Sequence, residues 1–213
     1  MTLIAENISK KFGQNGLAPV SMSIAENQFH VVIGESGCGK TTLLNILTGM
    51  LLPDSGSVTI DGKNIFTDMK ESERTLLRYE KISYMTQGST LIPELTVWQN
   101  IICPLELSGR KANEKDVNAL AKKLGIVNIL DSFPSEISGG EYRRVLLARC
   151  ILPDAKLLLV DEPTSNLDEE SAAIVREILF EEYKKGKGLL IVTHDRELLS
   201  YQPQIHELQA MKG

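Results

Sequence analysis

"FHVVIGESGCGKTTLLNILTGML", residues Phe29 to Leu51, decides the kind of fold this chain adopts. A short, mostly apolar run (Phe29 to Ile33) precedes a glycine-rich turn, and an apolar stretch of helical character (Thr41 to Leu51) follows it. The turn, "GESGCGKTT", fits GxxxxGK[ST] in the strand–turn–helix context that this motif requires. Glycines there let successive backbone N–H groups turn inward around phosphates, and the helix N-terminus adds its partial positive charge. Gly34, Glu35, Ser36, Gly37, Cys38, Gly39, Lys40, Thr41 and Thr42 are therefore read as a phosphate cradle for a nucleotide. Lys40 supplies a mobile cation for the outer phosphates, and Thr41 is placed to ligate Mg2+. A plain glycine turn capping a helix would account for Gly34 and Gly37, but it gives no reason for lysine followed by threonine.

The rest of the composition agrees with one α/β unit. At 213 residues the chain suits one sizeable core, with or without an inserted lobe. It carries 23 Lys and Arg against 28 Asp and Glu, a net charge of −5, with 5% aromatics. That is a poor electrostatic footprint for nucleic acid, and no nucleic-acid partner is expected. Cys38, Cys103 and Cys150 lie far apart without CxxC spacing, and the start "MTLIAENISKKFG" lacks a positive region followed by an apolar run. Both features fit a reducing, cytoplasmic setting. No apolar stretch approaches the roughly 18 residues of a membrane span, so no direct crossing of a bilayer is expected.

Strand and helix patterns divide the chain. "VSMSI" alternates Val20, Met22 and Ile24, and "SVTIDGKNI" places Asp61-Gly62 between β-rich segments, as in a tight hairpin. "FHVVIG", "LLLVDE" and "LLIVTHD" are short continuous apolar runs, as parallel strands buried on both faces are. From about Thr90 to Asp154 the texture changes: helical period and charge in "ANEKDVNALAKKLGI", scattered prolines, and few β-branched runs. The expected organisation is one domain over 1–213. Residues 1–89 and 155–213 form a core with an antiparallel β lobe, and residues 90–154 form a helical insert.

"KLLLVDEPT" ends a buried strand with Asp161 and Glu162 where ligands sit in open α/β sheets. Asp161 is read as holding Mg2+ through water, and Glu162 as deprotonating the water that attacks a γ-phosphate. A small-molecule kinase shares these parts. What separates the two readings is "ISGGEYRR" (Ile137 to Arg144), a second glycine turn opening an amphipathic helix, with Ser138 as its N-cap. This is another anion-binding helix end. For it to meet the phosphate loop of its own chain, the insert would have to fold across the active site. The economical arrangement is that it binds the nucleotide held by another copy.

Taken in order, Phe12, "GESGCGKTT", Gln87, "ISGGE", "LLLVDEP", "SNLD" and "THD" resemble the A-loop, Walker A, Q-loop, signature, Walker B, D-loop and switch histidine of ABC-transporter ATPase subunits. The resemblance covers nearly the whole chain. It implies a P-loop NTPase fold, with a RecA-like core of mainly parallel sheet, an N-terminal antiparallel β lobe and an inserted α-helical subdomain. It also implies a head-to-tail homodimer that sandwiches two ATP molecules. In that dimer each ATP lies between one subunit's Walker A and the other's Ser138, Gly139, Gly140 and Glu141. By position, Phe12 stacks on adenine, Gln87 reaches Mg2+ and reports the γ-phosphate to the insert, and His194 contacts the γ-phosphate. Asp168 in "SNLD" crosses the dimer interface, and it reads equally as the N-cap of the following helix. The family's commonest signature is LSGGQ, so Glu141 places a possible negative charge near a phosphate. Cys38 is small enough for the loop, and its oxidation would obstruct the nucleotide.

ATP turnover must move something else, and the resemblance implies a separate membrane permease docked on the insert at the cytoplasmic face of the membrane. Leu91, Leu95, Val97, Trp98 and Ile101, directly after Gln87, are either anchors for that partner or buried within the insert. The chain's short length after "QIHELQ" leaves no room for a fused membrane domain on this reading. "SEISGGEYRRVLLAR" and "DEPTSNLD" are most similar to the lipoprotein-release, macrolide-export and cell-division group (LolD, MacB and FtsE types). Export or lipoprotein extraction is the expectation. The alternatives are a small-solute importer and a soluble, non-transport ABC ATPase.

Overall fold

The computed structural model describes residues 1–13 and 15–211. Gln14 and the last two residues of the expected 155–213 segment lie outside the described residues. The antiparallel lobe is built on β1 (Thr2–Phe12) and β2 (Asn15–Ala25), a long hairpin whose second neighbour is β4 (Ser55–Ile60). The two-residue strand β5 (Lys63–Asn64) closes onto β4 across Asp61 (φ 49°) and Gly62 (φ 83°). Two consecutive positive φ values match the twist of the flanking strands, which is why Asp-Gly was a hairpin signal. The order is β2-β1-β4-β5.

The second sheet is wholly parallel. Its order is β6 (Ile82–Met85), β7 (Leu157–Asp161), β8 (Gly188–Val192), β3 (Phe29–Gly34) and β9 (Gln204–Leu208). The three apolar runs read from the sequence are β3, β7 and β8, the central strands. Their side chains alternate between two cores. Val31, Leu158, Val160, Leu189 and Ile191 face one, and Val32, Leu157, Leu159, Leu190 and Val192 face the other. Helix α1 (Lys40–Leu47) and the antiparallel lobe cover the second face. The first face is covered by α3 (Val97–Leu107), α5 (Gly139–Ile151) and α6 (Glu169–Lys184), with α4 (Glu114–Lys123) packed against α3. Between Met85 and Leu157 the described elements are all helical.

Three elements were not legible in the sequence. Helix α2 (Glu71–Glu80) buries only Leu77, and β9 buries only Leu208, so neither shows a strong apolar stripe. Strand β6 is four residues long and carries Ser83 and Tyr84. The expected partner anchors need correction. Leu91, Val97 and Ile101 are buried within the helical core, and Leu95 and Trp98 are half-buried, so this segment mainly packs the insert. Buried Asn100 organises the segment: its amide donates to Ile92 O, Leu95 O and Thr96 O, each at 3.0 Å, and its oxygen accepts from Ile92 N at 2.8 Å. Among the described residues no helix is long and apolar enough to cross a membrane.

Candidate nucleotide-binding site

The C-terminal ends of β3, β7 and β8 open into one cavity of about 780 Å³. The phosphate loop wraps the start of α1. Gly39 caps that helix at φ 98°, and a Cβ there would lie 2.7 Å from Gly16 O and 2.9 Å from Leu17 Cα, so only glycine allows the β2 edge this close. No acidic side chain sits in the first turn of α1 and no side chain caps it, leaving its N–H groups available to an anion. Lys40 bends back over the loop, donating to Gly34 O (2.7 Å) and Glu35 O (2.9 Å). Ser36, Gly37, Gly39, Lys40, Thr41 and Thr42 line the cavity. Cys38 turns its thiol into the second core, fully buried, so its part in the loop is played by backbone. Gly34 and Glu35 supply the carbonyls that hold Lys40.

The oxygen donors assigned to a metal converge. The Thr41 hydroxyl donates to Asp161 Oδ2 at 2.7 Å, Asp161 is buried, and exposed Gln87 faces the same cavity. A hydroxyl, a carboxylate and a carboxamide form the oxygen-only set that suits a hard divalent cation. Beside them Glu162 stands at φ 49°, a left-handed conformation in which Cβ crowds the carbonyl of an L-residue. Its carboxylate accepts from Thr193 Oγ1 (3.3 Å) and His194 N (3.4 Å), with His194 Nε2 3.5 Å away. The imidazole itself is open to the cavity, 61% exposed. At the mouth Phe12, 52% exposed, offers an apolar plate beside Asn15 and Gly16.

Ser138, Gly139, Gly140 and Glu141 do not line this cavity. They form the N-terminus of α5, Ser138 and Gly139 exposed and Gly140 and Glu141 half-buried, where the Ser138 hydroxyl oxygen accepts from Glu141 N (3.3 Å). Glu141 Oε2 returns to Ser138 N (2.8 Å) and accepts the Ser138 hydroxyl proton (2.7 Å), a capping box. Those hydrogen bonds hold the Glu141 carboxyl below its usual pKa. Asp168 also lies outside the cavity. It caps α6, accepting from Ser171 N and Ser171 Oγ, each at 2.8 Å.

Several site residues escaped sequence reasoning. Arg143, on α5, donates from Nη2 to Asp161 O (2.6 Å) and to Glu162 O. Ser165 Oγ donates to Glu162 O at 3.0 Å. Arg176 of α6 pairs with Asp195, whose Oδ2 also accepts from Thr164 Oγ1 (3.0 Å), and with Glu169. Local spacing does not distinguish these arginines from solvent-facing ones. Arg143 in "ISGGEYRR", Ser165 in "SNLD" and Asp195 in "THD" lay within marked stretches, but nothing in the spacing gave their contacts, and Arg176 had no positional signal.

Comparison with known proteins agrees with this architecture. Residues 17–165 match the ABC transporter family. The chain is 36% identical over 210 residues to the macrolide export ATP-binding/permease protein MacB of Campylobacter jejuni, aligning 97% of itself but 33% of that relative. It therefore spans about a third of the MacB chain. It is 39% identical over 200 residues to the lipoprotein-releasing system ATP-binding protein LolD of Aquifex aeolicus, covering 92% of this chain and 88% of that one. The dimeric structure of MJ0796, a bacterial ABC transporter cassette, superposes with a TM-score of 0.88 at 29% identity, over 99% of this chain and 98% of the other. With its phosphate loop, paired carboxylates and two-sheet architecture, the chain belongs to the ABC transporter family, of which it carries the ATP-binding cassette.

Proposed function

We propose that the chain binds and hydrolyses ATP in a head-to-tail homodimer and thereby drives a separate membrane permease, in export or in extraction of a lipoprotein or peptide. The observation that carries this reading is the split of the site. Phosphate loop, Asp161, Glu162 and His194 share one cavity, while the capped helix start at Ser138 lies outside it, exposed, for a second copy's nucleotide. The relatives' names, macrolide export for MacB and lipoprotein release for LolD, support the direction. A related structure of MJ0796, with a TM-score of 0.87, is that of a post-hydrolysis state bound to ADP and Pi.

In the reaction, the phosphate loop and α1 N-terminus hold the triphosphate, and Phe12 stacks on the base. Thr41, Asp161 and Gln87 would hold Mg2+, which when bound offsets phosphate charge. Glu162 accepts a proton from water as the water oxygen bonds to the γ-phosphorus. The bond to the bridging oxygen breaks, releasing ADP and phosphate. His194 steadies the γ-phosphate and stays within reach of Glu162.

A second cavity, about 490 Å³, supports a docked partner. Exposed Met50, Ile92 and Leu107 line it together with Arg78 and Arg149, and no carboxylate is among its lining residues. A groove of mixed polar and apolar lining, with arginines and no carboxylate, fits a protein segment, here a cytoplasmic loop of the permease. The test is to purify the Glu162→Gln protein from solubilised membranes with ATP and Mg2+ and to identify what accompanies it by mass spectrometry. A stoichiometric polytopic membrane protein is the expected result. An ATP-dependent dimer that is alone, or bound to ribosomal or DNA proteins, would overturn the membrane half of the reading.

A further inference from the structure

We infer that Arg143 is a positioning residue: from within α5 it clamps the main chain of Asp161 and Glu162 in the conformation that aims the Glu162 carboxylate at the attacking water. This deepens the reading above and rests on it. A non-glycine residue at φ 49° stays there only where its surroundings over-determine it. Among the described residues four hydrogen bonds hold the Glu162 main chain. Its N–H donates to Val192 O at 2.8 Å, extending the pairing of β7 with β8. Its carbonyl accepts from Ser165 Oγ and from Ser165 N (3.3 Å), three residues ahead, and from Arg143. The first three come from the sheet and from the turn itself. Arg143 alone reaches this carbonyl from a separate helix, and the same Nη2 also holds Asp161 O at 2.6 Å.

The guanidinium is committed to this task. Its buried Nε has no hydrogen-bond partner among the described residues, so the two carbonyls are what orient the group. Burial pulls its pKa down, and the charges of Asp161 and Glu162 oppose that shift. Arg143 also lies little more than one turn beyond Ser138, on the helix whose N-terminus is proposed to meet the partner's nucleotide. One rigid helix thus touches the nucleotide of one site at its start and the water-activating residue of the other through Arg143. Movement of α5 on closure is carried to Glu162 without any intermediary.

The test compares Arg143→Met, which keeps the apolar stem and removes the donors, with Arg143→Lys and Arg143→Gln, which each keep a donor. All assays run below every variant's melting midpoint. For Arg143→Met, kcat for ATP falls about 10- to 100-fold, the scale of a misaimed reactive group, while KM stays within about threefold. Arg143→Lys recovers at least about a third of the lost rate. If the Met variant does not fold, Arg143→Gln serves in its place, with a smaller loss in kcat and the same unchanged KM. Hydrogen exchange reads the clamp without reference to catalysis: the amides of Glu162, Thr164 and Ser165 exchange at least about tenfold faster in Arg143→Met, while those at Leu157 to Val160 do not. A kcat within twofold of wild type, equal losses in kcat and ATP affinity, a Lys variant no better than Met, or unchanged exchange would each overturn the clamp. A wild-type protein that turns over ATP no faster than Glu162→Gln would overturn the hydrolytic reading instead, and the exchange result would still decide the clamp.

Discussion

Replacing Glu162 by glutamine removes a proton acceptor and little else, which makes its consequences calculable. The contacts that set the turn all engage the Glu162 main chain: Glu162 N donates to Val192 O, and Ser165 and Arg143 donate to Glu162 O. Glutamine, of equal volume, leaves them in place. The side-chain contacts, at 3.3, 3.4 and 3.5 Å, lie at the outer limit of hydrogen bonding, and the amide oxygen can still accept one of them. The stability change should therefore stay within about 0.5 kcal/mol, or about 2 °C in melting midpoint for a chain of this size. Turnover should respond very differently. A positioned general base contributes about 10²- to 10⁴-fold, which corresponds to about 2.7 to 5.5 kcal/mol of barrier. Phosphate release at saturating ATP, beside thermal melts of both proteins, measures the two quantities. Turnover within threefold of wild type would refute the role of Glu162 as base. A midpoint drop above about 5 °C would refute the argument that the turn is held by its main chain.

Other perturbations separate local from long-range contributions. Arg176→Met breaks a largely buried pair and leaves the Asp195 charge with only Thr164 and Glu197 as donors, so chemical denaturation should show a loss of about 3 kcal/mol, the low end for such pairs. Lys40→Ala should weaken ATP binding at least about tenfold by titration calorimetry, since it removes the loop's mobile cation. Glu141→Gln should lower stability by no more than about 1 kcal/mol, because the Ser138 cap persists. The Glu141 carboxyl is held below its usual 4.5, so its contribution is present above that pH and is lost as pH falls through its folded value; melts of wild type and Glu141→Gln should converge in acid. His30, buried against His206 at 2.9 Å, has its pKa pushed down by burial to about 4. Between 6.5 and that value the unfolded chain takes a proton that the folded one refuses, so stability falls with pH by at most about 3 kcal/mol. Urea melts at two pH values should show a weaker acid dependence in His30→Leu.

The sequence by itself determined the features written in short range. The phosphate loop stands between a strand and a helix because Gly, Lys and Thr sit at fixed offsets. Asp61-Gly62 turns a hairpin through its own φ preferences, and Ser138 and Asp168 cap helices through bonds to residues three positions on. The three central strands were legible because burial on both faces leaves an unbroken apolar run. Only the tertiary structure decided the rest. Strand β9 and helix α2 carry little apolar signal, because an edge strand and a surface helix each bury one residue or so and take their place from neighbours distant in sequence. Leu91, Val97 and Ile101 look alike as surface anchors or core, and their burial in one cluster with α5 settled them as core. Arg143 and Arg176 are ordinary helical arginines until folding brings residues 18 and 19 positions away against the guanidinium of the first, and one 19 positions away against that of the second. A pattern read along the chain reports spacing within a few residues; contacts made across the sheet ends depend on where whole elements pack.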